Sequence, residues 1–374
     1  MFLKQLSLIN FKNYADFEAH FSEKINCFVG NNGIGKTNLL DALHYLSFCK
    51  SYFNAIDSQN IKHEEGFFVI QGLFEKFGEN SEVYCGLKRN QKKVFKKNKR
   101  EYERFSEHIG QFPLVMISPA DSELINGGSE LRRKFLDGII SQYDKVYLDH
   151  LINYHQVLKQ RNALLKQFYE SRNFDSETLD IIDEQLAIYG KSLLEIRERF
   201  LKQFIPLFNH YYRFISDNSE LVALQYENSL GEKEFKTALM TVLPKDRALH
   251  YTSVGPHKDD LEFTLNGFSL RKFASQGQQK SYLLALKLAQ FEFIKEQKNI
   301  NPLLLLDDVY DKLDEQRFTK LLELVSGNKF GQVFITDTHP DRMNDLLNKK
   351  QIEHRIFLIE ETIIQKPRVD KLVD

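Results

Sequence analysis

Gly30, Asn31, Asn32, Gly33, Ile34, Gly35, Lys36 and Thr37 follow the pattern G-x-x-x-x-G-K-[ST]. Residues of these types at this spacing bind phosphate. Successive backbone N–H groups of a glycine-rich turn cradle phosphate oxygens, and the N-terminus of the next helix adds its positive end. Lys36 can neutralise charge on the β- and γ-phosphates, and the Thr37 hydroxyl can ligate Mg²⁺. The apolar run INCFV precedes the loop, and a helix opens at Thr37 and runs through NLLDALHYLSF. That strand-loop-helix setting separates a phosphate loop from a chance glycine-rich turn.

A second group closes an apolar run: Leu303, Leu304, Leu305 and Leu306 are followed by Asp307 and Asp308. Asp307 is expected to hold Mg²⁺ directly or through water, and Asp308 to orient or deprotonate an attacking water. Taken alone, such a pair also suits a solubilising strand end or a helix cap, because DDVYDKLD can open a helix. Beside a phosphate loop, the two motifs are expected to end adjacent strands, at the carboxyl edge where open α/β sheets bind ligands.

The third group, Ser275-Gln276-Gly277-Gln278-Gln279, stands ahead of a long amphipathic stretch. It is similar to the signature loop of ABC ATPases, in which a serine hydroxyl and a glycine backbone at a helix N-terminus meet the γ-phosphate held by the opposite subunit. An ordinary polar loop with an N-cap is the plainer alternative. The order of parts favours the signature: loop, acidic strand end, Asp311-Lys312-Leu313-Asp314 as a D-loop, then the strand VFIT. Such a loop cannot reach its own phosphate site, so the working unit is expected to be a head-to-head homodimer around two ATP molecules. The expected ATP contacts are Gly30 to Asn38 together with Ser275, Gly277 and Gln278. Lys36 and Asp308 carry the catalytic roles, Thr37 and Asp307 the Mg²⁺.

Positioning these groups requires an α/β fold: an ABC-type ATPase head with a mixed or parallel sheet between helices, an antiparallel β subdomain, and an inserted all-helical arm. Residues 1–118 read as the first half of the head, with short β-rich runs and one helix. Residues 119–244 show apolar positions at three- and four-residue spacing, including Leu131, Phe135, Leu136, Ile139, Ile140, Tyr143 and Tyr147, and read as the arm. Residues 245–374 return to the head, with Asn266-Gly267 as a tight-turn signal and two apolar strands between amphipathic helices. The arm of about 125 residues lacks a sustained heptad seam, so it predicts a lid and not the coiled-coil rod of a larger SMC machine.

Composition sets outer limits. A chain of 374 residues that is 42% hydrophobic buries a sizeable core, and its net charge of −1 confines any nucleic-acid contact to a local patch. Cys27, Cys49 and Cys85 have neither metal-ligand spacing nor the number for a disulfide framework, which fits a reducing, cytoplasmic setting. No run approaches a membrane span and no secretory leader is legible. Residues 87–100 concentrate Lys88, Arg89, Lys92, Lys93, Lys96, Lys97, Lys99 and Arg100. Such a run can neutralise DNA phosphates, or can serve only as a charged sheet edge. Arg132 and Arg133 are further DNA candidates against ordinary surface charge, Lys12 is a candidate neighbour of the nucleotide, and Arg161 reads as helix surface or core.

Several blocks together resemble the RecF family of bacterial recombination mediators over essentially the whole chain. The carriers are the opening LSLINFKNYADFEAHFSEKINCFVGNNGIGKTNLLDALHYLSFCKSY, the internal blocks FPLVMISPADSELINGGSELRRKFLD and SVGPHKDDLEFTLNG, and the later SQGQQKSYLLALKLA and LLLLDDVYDKLD. The resemblance implies a cytoplasmic, ATP-dependent DNA-binding dimer at single-strand gaps, single-to-double-strand junctions and duplex. It also implies partnership with RecR, and through it RecO and RecA, in gap repair, replication and the SOS response. Its ATPase would be weak and DNA-stimulated, with ATP as a dimerisation switch. Asp308 replaces the glutamate most ABC ATPases carry, although RecF proteins share it, which predicts slow turnover. The run Thr336-Asp337-Thr338-His339 does not place a histidine directly after the first threonine, so His339 stands between a γ-phosphate sensor and a structural residue. A transporter ATPase subunit and another SMC-like ATPase are the competing readings. The first normally lacks the arm and the GPHKDD block. A nuclease of the OLD type would need an added acidic domain, which the chain is expected to lack.

Overall fold

The computed structural model describes residues 1–216, 220–231, 233–309, 315–327, 329–349, 352–360 and 363–364. It divides into two compact units, Met1–Asp121 with Gln290–Asp374, and Ser122–Ala289.

The first unit begins with β1 (Phe2–Phe11), β2 (Tyr14–His20), β3 (Ile25–Val29), α1 (Lys36–Phe48), β4 (Phe67–Lys76), β5 (Glu79–Lys88), β6 (Val94–Lys97), β7 (Arg100–Glu101) and β8 (Leu114–Ile117). Six of these strands form an antiparallel sheet in the order β2-β1-β4-β5-β6-β7. Its strands alternate: Leu6, Leu8 and Phe11 of β1 are buried while Ile9 between them is exposed, the period of a sheet with one face in the core.

The second unit holds α2 (Glu123–Asn126), α3 (Ser129–Tyr143), α4 (Lys145–Ser171), α5 (Ser176–Ser216), β9 (Val222–Glu227), α6 (Phe235–Leu249), β10 (Asp260–Leu265), β11 (Phe268–Ser269), α7 (Leu270–Phe273) and the start of α8 (Gln276–Lys298). Among the described residues of the inserted segment the helices are joined by a strand, β9, which the reading of 119–244 as all-helical did not anticipate. β9 pairs with β10 from Asp260↔Glu227 to Leu265↔Val222. This ladder joins residues assigned to the arm with residues assigned to the head, and residues 245–289 accordingly group with the arm helices. The Asn266-Gly267 turn closes β10 onto β11 with φ of 51° and 81°, as its sequence requires.

Arg161, read as helix surface or core, and Arg197 hold this unit together from inside. Arg161 is fully buried, with Nε donating to Asp183 at 2.6 Å and a second nitrogen to Asp246 at 2.7 Å. Arg197 is buried beside Asp137, at 2.7 Å, and Pro256 O, at 2.9 Å. A buried guanidinium persists only where carboxylates and carbonyls replace its water shell.

The chain completes the first unit with β12 (Leu303–Leu306), α9 (Glu315–Ser326), β13 (Val333–Asp337), α10 (Pro340–Lys349), β14 (His354–Glu360) and β15 (Ile363–Ile364). The second sheet runs β15-β14-β3-β13-β12-β8. Its β14, β3, β13, β12 and β8 are parallel, and β12 and β13 are buried at every residue, as expected for strands covered on both faces. The phosphate loop and the acidic pair therefore do not end adjacent strands. The fully buried β13 takes the position between them, pairing with β3 on one side and β12 on the other. Phe21, Phe28, Phe334 and Phe357 pack together in the core shared with the antiparallel sheet. No described helix is long and apolar enough to cross a membrane.

Candidate nucleotide site

The phosphate loop leaves β3 at the carboxyl edge of the parallel sheet and enters α1. Two of its glycines are sterically required. A Cβ on Gly30 would lie 2.5 Å from the carbonyl oxygen of Ile359, and Gly35, at φ 116°, would meet the Asn13 side chain at 2.3 Å. Gly33, at φ 81°, faces open space. Lys36 Nζ donates to the carbonyls of Gly30 at 2.7 Å and Asn31 at 2.9 Å, so its charge is held over the hollow of the loop.

Residues outside the motif brace it. Asn13 Nδ2 donates to Ile34 O at 2.8 Å, Asn38 Nδ2 donates to Asn13 Oδ1 at 2.7 Å, and Tyr14 OH reaches Gly35 O at 3.2 Å. Asn13 and Tyr14 belong to the opening block FKNYADF, yet nothing in their spacing marks them as part of the site. Lys12 does not approach the loop as a free cation; its Nζ pairs with the buried Asp41 at 2.6 Å.

The two acidic residues meet the loop through hydroxyls. Thr37 Oγ1 donates to Asp307 Oδ1 at 2.9 Å, and Thr336 Oγ1, at the end of the intervening β13, donates to the same oxygen at 3.0 Å. The backbone N–H of Asp308 donates to Thr336 Oγ1 at 2.8 Å, and Asp308 lies in the left-handed region at φ 50°. Thr336 thus ties both carboxylate positions to the strand between them. Burial is the main cause that raises the Asp307 pKa above the usual carboxylate range; the Thr37 and Thr336 hydrogen bonds oppose it, and the charge of Asp308 adds to it. The donor set fits Mg²⁺: one hydroxyl and one carboxylate side by side, with no cluster of three or more His, Cys, Asp or Glu among the described residues. A cation so sparsely held takes its remaining ligands from water and phosphate, as Mg²⁺ does.

Other anticipated residues fall differently. His339 is 66% exposed in its side chain; its N–H donates to Asp337 Oδ1 at 2.8 Å and its Nδ1 lies 2.7 Å from Thr338 Oγ1. The D-loop, Asp311 to Asp314, lies outside the described residues. In the second unit, Ser275 is exposed at the head of α8, and its hydroxyl accepts from Gln278 N at 3.3 Å while Gln278 Oε1 accepts from Ser275 N at 2.7 Å. Gly277 occupies the first turn of that helix.

Three of the DNA candidates are engaged within the fold. The Lys93 side chain is 8% exposed, donating to Asp57 at 2.7 Å and Cys49 O at 2.6 Å, so it is withdrawn from the basic run. Arg132 forms a two-point pair with Asp260 at 2.7 and 2.8 Å, and Arg133 donates to Asp259 O at 2.6 Å. Lys92, Lys99 and Arg100 are exposed. Lys96 and Lys97 are half-buried, their ammonium groups 5.9 and 5.5 Å from the Tyr84 and Phe112 rings.

Comparison with known proteins follows the same lines. Residues 2–358 match the RecF/RecN/SMC N terminal domain family. The chain is 53% identical to the DNA replication and repair protein RecF of Flavobacterium johnsoniae, over 96% of this chain and 99% of that protein. It is 48% identical to that of Bacteroides thetaiotaomicron, over 98% and 99%. Among solved structures it resembles the recombination mediator protein RecF-ATP in the RecFOR pathway, with TM-score 0.88 and 33% identity over 97% of both chains. The Smc head domain from Pyrococcus furiosus shares the fold, with TM-score 0.56 and 17% identity over 97% of this chain and 95% of that one.

Proposed function

The chain belongs to the RecF family of DNA replication and repair proteins, and we propose that it is an ATP-dependent DNA clamp of gap repair, closed by ATP-driven dimerisation and reopened by slow hydrolysis. The observation that carries this reading is the continuous linkage Thr37–Asp307–Thr336–Asp308 across three neighbouring strand ends. It joins the phosphate loop to the acidic pair that a hydrolytic site needs.

Within one head, backbone N–H groups of residues 30–38 bind the phosphates and Lys36 neutralises them. Thr37 and Asp307 would hold Mg²⁺, and the ion would supply charge neutralisation at the bound phosphates. Asp308 orients the attacking water and accepts its proton. Its carboxylate is one methylene shorter than a glutamate, which places the water less well and keeps turnover low. Ser275 and the Gly277 backbone of a second copy complete the γ-phosphate pocket, so hydrolysis waits on assembly. The solved relatives with ATP support the nucleotide, and their place in the RecFOR pathway supports DNA gaps and junctions as substrate, RecR as direct partner, and RecO and RecA as indirect ones. The exposed part of the basic run, Lys92, Lys99 and Arg100 with the flanking Lys96 and Lys97, supplies phosphate contacts. This activity belongs in the cytoplasm.

The test is sedimentation of Asp308→Asn and wild type with ATP, with ADP and without nucleotide, in each case with and without gapped DNA. The variant is expected to persist as an ATP-bound dimer and the wild type to return to monomer as ATP is consumed. An Asp308→Asn chain that stays monomeric at saturating ATP, with ATP bound, refutes the switch.

A further inference from the structure

The loop at the head of α8 is built as a capping box. Ser275 is the N-cap and Gln278 the third helical residue: the serine hydroxyl accepts from Gln278 N at 3.3 Å, and Gln278 Oε1 accepts from Ser275 N at 2.7 Å. One consequence is chemical. A hydroxyl that receives the Gln278 N–H on a lone pair keeps its own proton for another acceptor, so Ser275 can donate to a group outside the chain.

This arrangement depends on which end of the Gln278 carboxamide faces Ser275 N. A carboxamide can turn over, and only its oxygen can accept. Glu220, two residues before β9, decides the matter. Gln278 Nε2 donates to Glu220 Oε1 at 2.6 Å, and the other carboxylate oxygen accepts from the hydroxyl of the fully buried Tyr212 on α5. An ionised carboxylate accepts and never donates, so it selects the amide nitrogen and leaves the oxygen for Ser275. The backbone next to Glu220 is pinned to the β10–β11 turn: Leu221 N donates to Asn266 Oδ1 at 2.9 Å, and Asn266 N to Leu221 O at 2.6 Å. Tyr212 brings the 41-residue α5 into the same chain of hydrogen bonds.

We propose that Glu220 is a positioning residue for the nucleotide reaction: through Gln278 it sets the Ser275 hydroxyl for the γ-phosphate bound by a second copy, and through Tyr212 it links that hydroxyl to the long arm helix. This rests on the reading of Ser275 as the signature serine. Glu220 lies outside the phosphate loop and acts through Gln278, so its loss is expected to leave ATP binding by the single head intact and to act on turnover and assembly.

The experiment uses the full chain and compares Glu220→Ala, Glu220→Gln, Ser275→Ala and the double variant Ser275→Ala/Glu220→Ala. It measures the affinity of fluorescent ATP at low protein concentration, and turnover at saturating ATP across a protein concentration series. Ser275→Ala and Glu220→Ala are each expected to lower turnover about tenfold or more, with ATP affinity unchanged within about twofold. Glu220→Gln recovers most of the rate, because its amide oxygen still accepts from Gln278 and its NH₂ group donates to the Tyr212 oxygen. The double variant falls no further than Ser275→Ala, the mark of one residue acting through the other.

Wild-type turnover in Glu220→Ala beside diminished turnover in Ser275→Ala overturns the role of Glu220 and leaves the proposed function standing. Multiplying effects in the double variant also overturn it. Unchanged turnover in Ser275→Ala overturns the underlying reading of the loop instead. Should Glu220→Ala not fold, Tyr212→Phe removes one donor from the carboxylate without emptying its place; a turnover below wild type supports the linkage and a wild-type value ends it.

Discussion

Thr37 Oγ1 donates to Asp307 Oδ1 across 2.9 Å although 270 positions separate them in the chain. The hydrogen bond places the threonine of the phosphate loop against the carboxylate that closes β12, and Thr336 of β13 fills the gap between their strands.

Asp307 is predicted to trade stability for function. Its pKa is raised by burial, so its contribution to stability is full below the ordinary aspartate range and is lost as pH rises through the folded value. At neutral pH the ionised side chain therefore opposes folding. Asp307→Asn should melt at a higher temperature than wild type at neutral pH without Mg²⁺ and nucleotide, and the gain should shrink toward about pH 4. Turnover of Mg²⁺-ATP should fall about a hundredfold or more. Thermal melts at the two pH values check the sign; a variant less stable at neutral pH contradicts it.

The glycines of the loop should differ sharply in tolerance. Gly35→Ala forces a Cβ onto Asn13 at a φ of 116° and should abolish ATP binding. Gly33→Ala has open space and should suffer only the strain of its positive φ, about 1–2 kcal/mol. Titration with fluorescent ATP separates the two, and equal losses would show that the clash with Asn13 is not what restricts the loop.

Lys93 and its exposed neighbours should part company. Lys93→Ala leaves Asp57 and the Cys49 carbonyl short of a donor and should destabilise by about 1–3 kcal/mol in urea unfolding. Reversing Lys92, Lys99 and Arg100 to Glu should leave the unfolding midpoint unchanged. It should lower the salt dependence of duplex binding by roughly 0.9 in log–log slope for each DNA phosphate that is no longer neutralised. An unaltered slope removes this edge from the DNA surface.

Arg161 belongs to the fabric of the second unit. Its removal strands Asp246 and Asp183 in the interior, so Arg161→Ala should cost about 3–5 kcal/mol of that unit's stability. Chemical unfolding followed by a probe within residues 122–289 measures it, and a shift under about 1 kcal/mol would mean that water reaches the carboxylates.

The amino-acid order alone determined the chemistry and much of the fold. Gly30 to Thr37, the run ending in Asp307 and Asp308, and the Asn266-Gly267 turn are local signals, because backbone conformation, strand burial and turn geometry depend on neighbouring residues. Tertiary structure decided what depends on residues far apart in the chain. β13 came between β3 and β12, because strand order in a parallel sheet follows the packing of crossovers and not the order of motifs. β9 appeared within an otherwise helical stretch, because its partner β10 lies more than thirty residues onward. Asn13 braces the loop, Thr336 ties the acidic pair to β13 and Glu220 meets Gln278, while Lys93 and Arg132 turn inward to carboxylates. A polar side chain carries no local mark of its partner; only the fold determines which charge or amide it will meet.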